Sequence, residues 1–155
     1  MKANETKVDK FLATNETTFA IPVYQRNYDW ALFQCKQLLH DIIETGKNDK
    51  TNAHFIGSIV YVHDDVYTAS GLTELTIIDG QQRLTTITLI YIALYRLAKE
   101  LDNQMLVNRI QKTYLINEFA PEEEKLKLKP TENNKEALRH ILNSADGEEF
   151  KGYSK

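Results

Sequence analysis

The sequence predicts a single α+β domain that contains both helices and short strands. Three observations support this class: short β-branched segments alternate with longer stretches of helical apolar spacing, the longest helical pattern directly follows a predicted strand, and 42% of the 155 residues are hydrophobic. A chain of this length favours one domain over two. We therefore treat residues 1–155 as one domain with one core.

The first half of the chain is predicted to contain a strand between two helices. Apolar residues within 5–13 predict a short helix, and residues 19–23 predict a strand that ends near Pro22, which has no N–H for pairing. Apolar residues then recur at steps of three and four from Ala31 to Gly46, which predicts an amphipathic helix.

The middle of the chain is predicted to contain two adjacent strands followed by a long helix. Residues 55–62 are β-branched and apolar, and residues 75–78 follow after a polar connection that contains Gly71. From Gln81 to about Leu101 apolar residues cover nearly every face of a helix. We expect this helix to be buried on most sides and to form the centre of the fold.

The last third is predicted to contain two helices and an edge strand. One helix is predicted over 104–117, and alternating Lys and Leu over 125–129 predict an edge strand whose lysines face solvent. Pro130 ends this strand, and Thr131 is predicted to cap the final helix.

Charge and composition exclude several classes of protein. The 19 Lys and Arg against 22 Asp and Glu give a net charge of −3, which argues against a protein that coats nucleic acid through bulk positive charge. The single cysteine, Cys35, forms no internal disulfide, and the four histidines lack zinc-type spacing. No segment is typical of a signal peptide or a membrane helix, so we expect a cytoplasmic protein without a membrane partner.

The segment 77–86 (IIDGQQRLTT) is the most informative part of the sequence. A predicted strand ends there in a turn at Gly80, and the long helix begins, so unpaired helix N–H groups and the positive end of the helix dipole can receive an anion. Gly80 lets a phosphate approach the backbone, and Arg83 in the first turn can bind phosphate oxygens in a bidentate manner.

The polar residues of this turn have two interpretations. As ligand-binding groups, Asp79 can hold a hydrated Mg²⁺ or orient a water, and Gln81 and Gln82 supply amides for ribose, base or water. As structural groups, Asp79 and Gln82 form a capping box, which is a common helix start. Two adjacent glutamines before an arginine are more than a cap requires, but spacing alone leaves both interpretations open.

A second candidate segment, 21–30, is rich in aromatic and polar residues. If it is extended, Tyr24, Arg26, Tyr28 and Trp30 share one side. That side can stack a nucleobase while Arg26 contacts a phosphate, or it can be a structural cation–π ladder at the edge of the core.

A third candidate lies within the predicted strand 55–62. Gly57 indicates a bulge or a close approach by another backbone or a ligand, and Ser58 can donate to a phosphate. A glycine that serves packing alone explains the pattern equally well.

Three ordered blocks, residues 21–30, 54–62 and 76–90, together resemble the N-terminal domain of the GmrSD modification-dependent restriction enzymes. The resemblance spans about residues 19–94 and extends more loosely through KLKLKPTENN. It implies a ParB/sulfiredoxin-like α+β fold, in which a small mixed sheet packs with helices. In this fold the DGQQR segment would lie where related folds hold nucleotide phosphates.

The resemblance also implies a function. Members characterised as restriction factors bind and hydrolyse nucleoside triphosphates, and this event regulates DNA cleavage by a separate nuclease domain, commonly of the HNH type. The motif positions that carry over are Tyr24, Gln25, Arg26 and Trp30, then Gly57 and Ser58, then Asp79, Gly80, Gln81, Gln82 and Arg83 with Thr85 and Thr86. No HNH-like pairing of His and Asn follows Leu142, so we expect the N-terminal module of a longer protein. Asn133 and Asn134 stand where members often place an Asp.

The leading hypothesis is an NTP-binding and NTP-hydrolysing regulatory domain of a prokaryotic restriction or anti-phage protein. The N–H groups after Gly80 and Arg83 would hold the phosphates, and Asp79 would position Mg²⁺ or a water. Either glutamine would orient the attacking water, while Tyr24, Arg26 and Trp30 would close the pocket. The alternatives are a nucleotide sensor without turnover and a DNA-contacting module, and a homo-oligomer is left open.

Overall fold

The computed structural model describes residues 4–50, 53–63, 71–144 and 150 of the chain. Its elements, in chain order, are α1 Val8–Leu12, β1 Thr17–Ala20, α2 Leu32–Lys47, β2 Val60–His63, β3 Thr73–Asp79, α3 Gln81–Glu100, α4 Gln104–Ile110, a π-helical turn Gln111–Leu115, a 3₁₀ turn Glu122–Glu124, β4 Leu128–Lys129 and α5 Glu132–Asn143.

The four strands form one mixed sheet in the order β2-β3-β1-β4. β1 runs parallel to both of its neighbours, whereas β2 is antiparallel to β3. The predicted α+β class is confirmed, as are the adjacency of the two middle strands and the edge position of the strand before Pro130.

β1 and β2 are both shorter than the sequence predicts, and the backbone explains both differences. β1 ends at Ala20 because the chain turns at Pro22, whose carbonyl accepts from the amide of Gln25 at 3.0 Å. β2 begins at Val60 rather than residue 55. Gly57 has a φ of +101°, which interrupts extended backbone before the strand can pair.

Helix α3 packs against the sheet and supplies much of the core. Leu84 and Ile92 are almost completely buried, and they lie in one cluster with Phe19 of β1 and Ile77 of β3. The prediction of burial on most sides is correct for the first half of α3 and wrong for its end, where Leu94, Leu97 and the following Leu101 are 45–69% exposed. None of the helices in the described part of the chain combines the length and the hydrophobicity that a bilayer crossing requires.

The prediction that the lysines of residues 125–129 face solvent is wrong for one of them. Lys127 does not face solvent: only 3% of the residue is exposed, and its Nζ donates to the carbonyls of Leu12, Thr14 and Thr113 at 2.8–3.0 Å. The alternation fails because β4 has only two residues, and Lys127 instead pairs its own N–H with the carbonyl of Leu115. Burial lowers the pKa of Lys127 to about 8.

The predicted boundary of the final helix is correct, but the predicted capping bond is not made. Thr131 precedes α5, yet among the described residues its hydroxyl accepts no hydrogen bond from a backbone N–H at the start of the helix. That hydroxyl donates instead to Oδ1 of Asn27 at 3.1 Å, and it accepts from the side-chain amide of Asn134 at 3.2 Å. The start of α5 is thereby tied to the segment that precedes α2.

Candidate functional site

The candidate site is built on the turn between β3 and α3. Gly80 occupies the N-cap position with φ +92° and ψ 7°, a left-handed conformation that favours glycine. The first helical bond runs from the amide of Leu84 to the carbonyl of Gly80 at 3.0 Å. The N–H groups of Gln81, Gln82 and Arg83 therefore have no acceptor within the helix.

The capping-box interpretation of this turn is wrong. Gly80, rather than Asp79, is the N-cap residue, and the described residues contain no side-chain capping bond at this helix start. The Asp79 side chain is 70% exposed, and its Oδ2 lies 3.9 Å from Nη2 of Arg83. At that exposure the ion pair contributes little to stability.

Arg83 is bound to the segment that precedes β2. Its Nη2 donates to the carbonyl of Ser58 at 2.5 Å, and its guanidinium lies against Gly57, where an added Cβ would stand 2.9 Å from Cζ. The Arg83 side chain is only 26% exposed, and its Nε is buried without a partner in the described part of the chain. A group does approach Gly57 closely, but it is the side chain of Arg83 rather than the backbone or ligand that the sequence predicts.

The missing side chain of Gly80 makes room for the backbone of residues 58–59 rather than for solvent. A Cβ at Gly80 would stand 3.0 Å from the carbonyl oxygen of Ser58 and 3.2 Å from the Cα of Ile59. The space freed by the missing side chain is therefore filled by the segment 58–59. A phosphate at this helix start must approach from the side of the amides and Arg83.

Gln81 and Gln82 are buried and contact the segment 25–29. Nε2 of Gln81 donates to the carbonyl of Arg26 at 3.2 Å, while its Oε1 is buried without a partner among the described residues. Gln82 is engaged at both ends of its amide, because Nε2 donates to the carbonyl of Asn27 at 3.0 Å and Oε1 accepts from the N–H of Asp29 at 2.9 Å.

The segment 21–30 is not extended, so its aromatic residues do not share one side. Tyr24 lies in the turn after Pro22 and is 73% exposed, and the side chain of Arg26 is exposed as well. Trp30 instead packs, half-buried, against the hydrophobic core. Gln25 reaches the end of β3, where Nε2 donates to the carbonyl of Ile78 at 3.0 Å.

The structure therefore brings together the three predicted blocks through backbone contacts. Gln25, Gln81 and Gln82 join the first block to the third, and Arg83 joins the second to the third. Thr86 is buried at this junction and Thr85 is half-buried beside it. Ser58 contributes its carbonyl oxygen.

Sequence reasoning missed two residues that contact this site, Cys35 and Thr131, and it assigned Tyr28 to a stacking or cation–π face rather than to hydrogen bonds. The hydroxyl of Tyr28 lies 2.9 Å from Oγ1 of Thr86 and 3.0 Å from Sγ of Cys35. Burial raises the pKa of Tyr28 to about 12, and the bond to Cys35 adds to this shift. Tyr28 lies within the second segment, but nothing local in the sequence links Cys35 or Thr131 to that segment.

Asp79 is the one carboxylate that the sequence assigns to a metal. No group of three or more His, Cys, Asp or Glu side chains suited to a metal ion occurs in the described ranges. Two cavities found there lie elsewhere, one of about 30 Å³ between β4 and α5 and one beside the end of α2. A metal at Asp79 would therefore need ligands from water or from a bound molecule.

In a comparison with known protein families, residues 8–155 match the model described as GmrSD restriction endonuclease, N-terminal domain. The chain belongs to this family. The match spans every element of the fold, including the DGQQR turn and both segments that contact it. No curated protein sequence matches the chain.

Proposed function

We propose that this GmrSD N-terminal domain binds a nucleoside triphosphate at the start of α3, hydrolyses it, and thereby regulates DNA cleavage by a nuclease domain. One observation carries the proposal. Gln81 Oε1 and Arg83 Nε are buried polar atoms without partners in the described part of the chain, and both lie in the first turn of a 20-residue helix. Buried polar atoms are costly to leave unpaired, so such a pair is consistent with a ligand.

The charge of this turn suits a polyanion. Three helix N–H groups and the positive end of the helix dipole lie beside a guanidinium, which is a good partner for phosphate oxygens. Arg83 Nη2 carries two N–H groups, and one of them donates to the Ser58 carbonyl, so the other would donate to a phosphate oxygen. Arg26 and Tyr24, both exposed on the neighbouring segment, would contact the remainder of the nucleotide.

The residues present fit a hydrated Mg²⁺ better than a protein-enclosed metal. Asp79 offers one exposed carboxylate, and Mg²⁺ in nucleotide sites commonly keeps several waters and takes further ligands from phosphate oxygens. When bound, the ion would neutralise charge on the phosphates.

Gln81 is the better candidate for orienting the attacking water. Its Oε1 has no partner in the described residues, whereas both ends of the Gln82 amide are engaged with the segment 25–29. The water oxygen would bond to the γ-phosphorus as the bond to the bridging oxygen breaks, which yields a nucleoside diphosphate and inorganic phosphate.

Calorimetric titration with Mg-ATP and Mg-GTP tests the proposal. We expect Arg83→Ala to weaken binding about 10- to 100-fold, because it removes charge-assisted hydrogen bonds to phosphate. Arg109→Ala, which removes an exposed arginine from α4, is the matched control and should bind like the wild type.

The outcomes of this titration separate the competing functions. Equal affinity in wild type and Arg83→Ala would remove Arg83 from the site, and absence of binding by the wild type would overturn the proposal. If the wild type binds nucleotide but a phosphate-release assay at high protein concentration detects no phosphate, the domain would be a nucleotide sensor.

A further inference from the structure

We infer that Gln82 and Tyr28 are positioning residues that fix the segment 25–29 beside the start of α3. Their role would be to present the exposed side chain of Arg26 to a bound nucleotide, so this inference rests on the proposed function. The segment has no regular secondary structure of its own, and it therefore needs other contacts to keep one conformation.

Gln82 supplies the contacts that a neighbouring strand would otherwise supply. Its amide donates to the carbonyl of Asn27 and accepts from the N–H of Asp29, at 3.0 and 2.9 Å. The two bonds bracket Tyr28 and satisfy one acceptor and one donor of the backbone. Because Gln82 is only 6% exposed, its side chain has little freedom to leave this arrangement.

Tyr28 is held between the two bracketing bonds by a chain of side-chain hydrogen bonds. The Thr86 hydroxyl has one proton, and it donates to the carbonyl of Gln82 at 2.8 Å. Thr86 Oγ1 also lies 2.9 Å from the hydroxyl of Tyr28, and the Tyr28 oxygen lies 3.0 Å from Sγ of Cys35. These contacts join α2, the segment 25–29 and α3 through one partly buried route.

Three further bonds hold the same segment. Gln25 donates to the carbonyl of Ile78 in β3, Gln81 donates to the carbonyl of Arg26, and Thr131 donates to Oδ1 of Asn27. The backbone on both sides of Arg26 is thus fixed while the arginine side chain stays exposed. This is the arrangement expected of a preorganised binding residue, for which little ordering remains to be done when a ligand arrives.

Amide hydrogen exchange by NMR, together with nucleotide titration, tests the inference. In Gln82→Met we expect the Asp29 amide to exchange about tenfold faster, because it loses its only described acceptor. Mg-ATP affinity should fall about tenfold in the same variant. Gln104→Met, which changes an exposed glutamine of α4, is the matched control and should alter neither quantity.

A double-mutant cycle shows whether Gln82 acts through Arg26. If it does, Gln82→Met should cause little further loss of affinity once Arg26→Ala is present. Losses that simply add would overturn the positioning role, because Gln82 would then act independently of Arg26.

Tyr28→Phe keeps the test decisive if Gln82→Met does not fold. It removes only the hydroxyl and should also speed exchange of the segment 25–29. Unchanged exchange in every folded variant would overturn the inference. If the wild type binds no nucleotide, the proposed function fails, and exchange still decides whether Gln82 and Tyr28 fix the segment.

Discussion

The conformation of Gly57 determines where the side chain of Arg83 lies. Its φ of +101° lies in the left-handed region, and the absence of a Cβ lets the guanidinium lie directly on its backbone. The same residue ends the extended pattern that would otherwise begin β2 earlier. One glycine therefore determines both where the strand starts and where the arginine lies.

Gly57→Ala should destabilise the domain by about 2–3 kcal/mol, since it combines a strained φ with a displaced guanidinium. Gly46→Ala is the matched control because Gly46 lies in α2 with no atom within 4 Å of an added Cβ. The control should stabilise by up to about 1 kcal/mol. Denaturant unfolding measures both changes, and equal midpoints for Gly57→Ala and the wild type would contradict the contact.

Helix α3 has two halves with different surroundings. Leu84 is fully buried, whereas Leu97, of the same residue type in the same helix, is 48% exposed. The packing of the first half explains why the DGQQR turn is rigidly attached to the sheet. The second half also contributes Ile92, Tyr95 and Ala98 to the core, but Leu94 and Leu97 are exposed.

Leu84→Ala should cost about 2–5 kcal/mol of unfolding free energy because it leaves a cavity against Phe19 and Ile77. Leu97→Ala should cost less than about 1 kcal/mol, since much of its side chain is already in water. Thermal or denaturant unfolding compares them directly. Similar losses for the two variants would show that the end of α3 is covered in solution.

The sequence predicts most elements because hydrophobic periodicity reports which face is buried. It predicts α2, α3 and the sheet edge at β4 within a few residues. It does not predict the exposed end of α3, because periodicity shows that a face is apolar but not whether another element covers it. In the same way, the sequence indicates a candidate site at residues 79–83. It does not reveal that Gln82 binds backbone more than 50 positions away.

At the scale of the whole molecule, Lys127 joins parts of the chain that are distant in sequence. Its ammonium donates to carbonyls at the end of α1, in the turn after it, and in the π-helical turn. Burial lowers the pKa of Lys127 to about 8, because removing the charged ammonium from water costs free energy. Its three hydrogen bonds offset this cost.

Lys127→Met should destabilise the domain by about 2 kcal/mol at pH 7, because three carbonyls lose their donor. The pH dependence has a defined sign. Between about pH 8 and 10.5 the unfolded chain still holds the proton that the folded domain has released, so wild-type stability should rise with pH relative to the variant.

Denaturant unfolding across this pH range measures the difference between the two proteins, in which the contributions of other titrating groups cancel. Lys125→Met, which removes an exposed ion pair with Glu122, is the control and should show no such rise. A wild-type advantage that stays constant from pH 8 to 10.5 would contradict the depressed pKa.

The placement of β1 between two parallel neighbours has a consequence for biosynthesis. Its register joins Thr17 to Thr73 on one side and Phe19 to Leu128 on the other, so a strand made early finds its second neighbour only when most of the chain has left the ribosome. Closing such long loops is slow. Until then one edge of β1 stays unpaired, and an unpaired strand edge in a nascent chain favours aggregation and therefore chaperone binding.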